Sequence, residues 1–155
     1  MKRNAARGGD LRRALRAAQL AWLFPGAGHL YLGARRRAAV FCTLVLLTVG
    51  LGVACDGNLG IIDARRAPVL TTLQVGAHLS LGPLDPLMRL SMYGSLLYRE
   101  EQGGGSPVKA AALERRRRRF YRPYSNYGST YLLAAGLMNL LLILDAWDIG
   151  IGRRS

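Results

Sequence analysis

Apolar positions along this chain come in long uncharged runs, with the charged residues collected between them. The clearest run, AAVFCTLVLLTVGLGVAC, occupies residues 38 to 55 without a charge. At 1.5 Å per residue it covers about 27 Å, close to the hydrocarbon thickness of a bilayer, and predicts a transmembrane helix. STYLLAAGLMNLLLILDAWDIGIG, starting at Ser129, predicts a second over residues 129 to 150, with Ser129 or Thr130 as the cap and Asn139 as the one strongly polar residue before Asp145.

Two further apolar stretches are interrupted. Residues 68 to 98 are broken by Gly82-Pro83, by Asp85-Pro86 and by Arg89, and read as a broken helix that spans or as two short helices partly in the interface. Residues 17 to 33 contain Pro25, Gly26 and Gly28. The 16 residues from Ala17 to Leu32 reach only about 24 Å, so this stretch is a short kinked span or a re-entrant hairpin. A basic tail, residues 1 to 16, precedes it, and a basic linker, residues 99 to 127, joins the last two apolar segments. In that linker Gly103 to Pro107 reads as a hinge and Val108 to Arg119 as a helix.

Composition narrows the class. The 155 residues suffice for one domain, half of them are hydrophobic, and 22 Lys and Arg face 9 Asp and Glu for a formal charge of +13. A nucleic-acid binder would interleave its cations with polar and aromatic residues on exposed faces. Here they form blocks at Lys2 to Arg16, at Arg35, Arg36 and Arg37, and at Arg115 to Arg122, each beside an apolar run. That is the pattern of an integral membrane protein and argues against nucleic acid as a partner. The expected fold is an all-α membrane helical bundle of three to four segments in a bacterial cytoplasmic (inner) membrane. High Arg, Ala and Gly content suggests the bacterial source. A cleaved signal peptide fits poorly, because cleavage near Gly28 or Gly33 would leave three arginines beside the next helix.

The positive-inside rule favours arrangements in which one doubtful stretch fails to span. Treating residues 17 to 33 as re-entrant places 17 basic residues inside and 4 outside, with Arg89 within its segment. Holding residues 68 to 98 on the inner face gives a comparable bias. The first is preferred, since Pro-Gly-x-Gly lies in the stretch too short to cross. In the preferred arrangement the arginines at 35 to 37 and those of the linker share the inner face, and in the other they lie on opposite faces.

The candidate chemistry is sparse. Cys42 and Cys55 read as small buried hydrophobes, and no metal, nucleotide or nucleophile motif is present, so neither a cofactor nor an enzymatic activity is expected. The intramembrane polar candidates are His78, Asp85, Arg89, Asn139, Asp145 and Asp148. Arg89 lies one turn beyond Asp85 and is its obvious partner. Asp145 and Asp148 are placed to pair with Arg153 or Arg154 at the helix end. The pairs Gly50/Ala54 and Gly76/Ser80 suit close helix packing. The arginines Arg115, Arg116, Arg117, Arg118 and Arg119, with Phe120, Tyr121, Tyr124, Tyr127 and Tyr131 after them, fit topology anchoring or an anionic-lipid docking strip.

PGAGHLYLG, residues 25 to 33, resembles the signature of the two-transmembrane-helix domain family, with His29, Leu30 and Tyr31 where an Arg-Phe-Tyr triplet is usual. LAWLFPGAGHLYLG with the basic cluster after it, together with YGSTYLLAAGLMNLLLILDAWD, is more similar to a bacterial family of small multi-pass membrane proteins known as a domain of unknown function. The resemblance implies a cytoplasmic turn between membrane segments. In that turn Pro25 stops a helix, Gly26 and Gly28 allow close backbone approach, and His29 and Tyr31 are expected to point towards headgroups or water. With Gly33 these residues are the candidate partner-binding turn. The functional expectation is an accessory or scaffolding component that binds anionic lipids of the bilayer, another membrane protein or a second copy of itself. A small transporter using the broken third segment is the alternative.

Overall fold

The computed structural model describes residues 2–62, 67–99 and 106–153, with side chains from Asp10 onward. Arg65, Arg66, Arg154 and most of the expected hinge at 103–107 lie outside the described residues. The described chain forms seven helices: α1 (Lys2–Leu23), α2 (Ala27–Tyr31), α3 (Arg35–Ala54), α4 (Pro68–Leu79), α5 (Leu84–Tyr93), α6 (Pro107–Phe120) and α7 (Ser125–Gly150). Among the described residues β-structure is limited to one isolated bridge, Ile62 to Arg99. Two helices, α3 and α7, are long and apolar enough to cross a membrane, with mean hydropathies of 2.0 and 1.7.

Helix α7 is the axis of the molecule, packed against α1, α3 and α4. It runs antiparallel to α3. Gly52 at the end of α3 meets Leu132, and Gly57 just beyond it meets Gly128, while Gly26, before α3, lies against Ala38 in its first turn. Helix α1 also runs antiparallel to α7, but it stops half way. Its Ala14 packs on Gly150, whereas the Ala21 carbonyl faces Asn139, eleven residues nearer the start of α7. There Phe24 and Pro25 break the helix and Gly26 takes a left-handed conformation, φ 86°. The chain turns back so that Gly28 presses against Ala17, Ala21 and Ala146. A Cβ at Gly28 would collide with the Ala17 carbonyl, which is why a glycine is required. The basic tail and the Pro-Gly turn thus belong to one hairpin, with Ala14, Ala17 and Ala21 fully buried along α1.

Helices α4 and α5 form a second hairpin from the opposite end. Proline opens α4, and its end is carried to mid-length of α7, where the Ala77 carbonyl meets Gly136. Residues 80 to 83 turn, and α5 returns to place Tyr93 beside Asn58 and Leu59. At 12 and 10 residues these helices reach only about 18 and 15 Å. The α4–α5 pair therefore begins and ends on the same side.

Three expectations are corrected. Helix α7 starts at Ser125, so Ser129 and Thr130 lie in its second turn and bond back to the Ser125 and Asn126 carbonyls instead of capping it. Gly50 and Gly76 face open space, while the close contacts fall at Gly28, Gly52, Gly136 and Gly150. Against the preferred arrangement and in line with the other, the arginines at 35 to 37 and those at 115 to 119 lie at opposite ends of the α3–α7 pair, because residues 68 to 98 double back.

Candidate functional site

The tips of the two hairpins meet at Asn139. A helix that ends leaves carbonyls unsatisfied, and two such ends buried together need a shared donor. Asn139, fully buried on α7, supplies it: its Nδ2 donates to the Ser80 carbonyl at 2.6 Å and to the Ala21 carbonyl at 3.4 Å. Trp22 Nε1 adds a bond to the Leu79 carbonyl at 2.9 Å. Gly82, at φ 61°, lies against the Trp22 carbonyl, and Ser80 Oγ rests between the Ala77 and Gly136 carbonyls. Asn139 Oδ1 receives no donor from the described residues.

Towards the Arg35 end, the expected partner-binding turn docks on α7. His29 is fully buried, and its Nε2 lies 2.9 Å from Asp145 Oδ2. Its ring packs edge-on against Phe41, centroids 5.2 Å apart. The expectation that His29 points to headgroups or water is therefore overturned, since its ring is taken up by Asp145 of α7 and Phe41 of α3. Pro25 is also buried, whereas Leu30 and Tyr31 are exposed. Gly33 adopts a left-handed φ of 83° with open space around it. Asp145 pairs with His29, and Asp148 approaches Arg153 at 3.9 Å. His29 and Asp145 are 116 residues apart, one in each of the two blocks that carry the family resemblance.

Near the other end, Asp85 and Arg89 form an i, i+4 ion pair, both fully buried, with Nε 2.9 Å from Oδ2. The rest of the guanidinium reaches out of the helix: Nη1 donates to the Leu97 carbonyl and Nη2 to the Gly60 carbonyl, and the group stacks over the Tyr98 ring at 4.2 Å. Burial together with the nearby Asp85 carboxylate raises the Tyr98 phenol above its ordinary pKa. Arg89 thus joins the loops 56–62 and 94–99, and His78 lies close enough to feel both charges.

Sequence reasoning passed over Asn58, which organises this end. Its Nδ2 donates to Ser125 Oγ, its backbone N–H to Ser129 Oγ, and its Oδ1 accepts from the Tyr93 hydroxyl. The signal available was its place in the polar, glycine-rich CDGNLG after an apolar run. Asn58 also lines a cleft of about 340 Å³ between α4, α6 and α7, walled by Gln74, His78, Arg116, Thr130 and Leu133.

The basic helix α6 is partly engaged in internal bonding. Arg115 donates to the Tyr93 carbonyl, Arg116 approaches the Leu59 carbonyl at 3.5 Å, and Arg119 and Arg122 reach Asp56 at 3.4 and 2.8 Å. Arg118 pairs with Glu114 on the exposed face. Arg35, Arg36 and Arg37 are exposed in the first turn of α3. Among the described residues no group of three or more His, Cys, Asp or Glu is placed to hold a metal ion.

Residues 16–155 match a family model described as a family of unknown function, DUF6677. No curated protein and no solved structure matches the chain.

Proposed function

The chain belongs to the DUF6677 family of unknown function, and from that premise and its own geometry we propose a multi-pass protein of a bacterial inner membrane, acting as an accessory or scaffolding component. In this reading α3 and α7 cross the bilayer, and the hairpins α1–α2 and α4–α5 enter it from opposite faces and meet at Asn139. The observation that carries the reading is the inversion of polarity. His29, His78, Asp85, Arg89 and Asn139 are buried, while Val40, Leu44, Leu47 and Leu51 of α3, Leu73 of α4, and Leu137, Leu141 and Leu144 of α7 are exposed. A soluble monomer rarely exposes contiguous apolar area on this scale, and lipid is the solvent that suits it.

An accessory role is supported by where the polar groups go. Asn139 and Arg89 satisfy backbone carbonyls, and the cations of α6 tie loops together, which builds a rigid body for presenting surfaces. Leu30 and Tyr31, exposed beside Arg35 to Arg37, form the surface offered to a membrane partner. Native-lipid purification followed by mass spectrometry tests this. A stoichiometric protein partner lost in Leu30→Ala/Tyr31→Ala supports the reading, and an identical profile in wild type and variant contradicts it.

A small transporter is the second reading, favoured by the convergence of His78, Asp85 and Arg89. It requires an Asp85→Asn protein that stays folded yet loses function, whereas the scaffold reading expects Asp85→Asn to act through stability.

A further inference from the structure

We propose that the cleft between α4, α6 and α7 is a binding site for the phosphate-bearing headgroup of one anionic phospholipid, whose acyl chains run down the outer face of α7. The inference rests on the membrane reading above and adds to it a single site with a defined ligand chemistry.

The lining has the polarity of such a lipid. Asn126 and Thr130 of α7, Gln74 and His78 of α4, and Arg116 of α6 supply polar groups and one cation to the lining. Leu59, Phe120 and Leu133 add apolar lining. Asn126, Thr130, Leu133 and Leu137 follow at helical spacing on one face of α7, so polar lining passes into exposed leucines, Leu137 and then Leu141 and Leu144, along the helix. A free anion has no use for that stripe, whereas a phospholipid covers both parts at once.

Position and charge select the same ligand. The cleft lies at the start of α7, where Phe120, Tyr121, Tyr124 and Tyr127 are exposed as an aromatic girdle of the kind found at headgroup depth. Residues 99–122 carry eight Lys and Arg against three Glu, and of the described carboxylates Asp56 meets Arg119 and Arg122 while Glu114 meets Arg118. The excess is positive, which favours a net negative headgroup over a zwitterionic one.

Native mass spectrometry of the full chain, purified in detergent and titrated with phosphatidylglycerol or phosphatidylcholine, tests the proposal. Wild type is expected to retain one phosphatidylglycerol in preference to phosphatidylcholine. Arg116→Ala is expected to weaken that retention roughly fivefold or more, in keeping with one lost cation. Thr130→Trp fills the cleft without changing charge and should lose the lipid too, so it decides the matter if Arg116→Ala unfolds. Arg118→Ala, which removes the same charge from the exposed face, should bind as wild type does. Equal retention of the two lipids overturns the proposal, as does indifference to both cleft variants. Inorganic phosphate that binds alone with the same dependence on Arg116, and displaces the lipid, assigns the cleft to a free anion and overturns the lipid assignment. Carbonate extraction of wild-type membranes separates the two levels of the account. Release of the chain removes the membrane reading and the cleft proposal with it, while retention without lipid selectivity removes the cleft proposal alone.

Discussion

At the scale of single residues, the buried polar groups hold this fold together, and their roles differ in how far the sequence announces them. The Asp85–Arg89 pair was legible, because a carboxylate and a guanidinium one turn apart in an apolar stretch have few alternatives to each other. Breaking it leaves one buried charge without its counter-ion, so Asp85→Asn or Arg89→Leu is expected to cost about 3–5 kcal/mol. Thermal unfolding in detergent checks this, and an unchanged midpoint would contradict the role given to the pair. The partnership of His29 with Asp145 was not legible, since a contact across 116 residues leaves no mark on local spacing. Asn139 was recognisable as an odd residue in an apolar helix, but not as the donor that serves two helix ends. Asn139→Leu keeps the bulk and removes the donor, and should destabilise by about 1–3 kcal/mol by stranding the Ala21 and Ser80 carbonyls.

At the scale of elements, prolines and glycines gave the breaks, and packing decided what the breaks were for. Pro25-Gly26 and Gly82-Pro83 mark the two hairpin turns, and both were visible as interruptions of apolar runs. The continuation of the basic tail into α1 was missed, although Ala14, Ala17 and Ala21 trace one face that buries completely. Three arginines in the first turn of α3 oppose the helix dipole, so their position is set by the chain's surroundings and not by helix stability. The glycines separate the packing faces cleanly. Gly28→Ala or Gly136→Ala forces a methyl against a backbone carbonyl of α1 or α4 and should lose about 1–3 kcal/mol. Gly50→Ala and Gly76→Ala point into open space and should be neutral or gain up to about 1 kcal/mol from helix propensity. Parallel unfolding curves of the four variants test the contrast, and equal losses at all four would refute the assignment of faces.

At the scale of the whole molecule, the sequence led to the helical class and to α3 and α7 as its long apolar elements, and offered the doubling back of residues 68 to 98 only as the less preferred of two arrangements. The charge count assumed that all flanking cations gather on one side. In the structure Arg12, Arg13, Arg16, Arg35 to Arg37 and Arg153 lie at one end, and Arg99, Lys109, Arg115 to Arg119 and Arg122 at the other. Among the described side chains positive charge is therefore divided nearly evenly between the two ends, seven cations against eight. Arg116 and Arg119 of α6, and Arg122 just beyond it, reach the loop 56–62 instead, which a rule that counts charges near helix ends does not register. The central claim is that two helices cross and two hairpins turn back, which puts the loop before α3 and the start of α6 on opposite faces. The most direct test is labelling with a membrane-impermeant maleimide, from each side of sealed membranes, in a Cys42→Ala/Cys55→Ala background carrying Ala34→Cys or Ser106→Cys. The account expects the two positions to react from opposite sides. Reaction of both from the same side would mean that residues 68 to 98 cross the bilayer, and would contradict it.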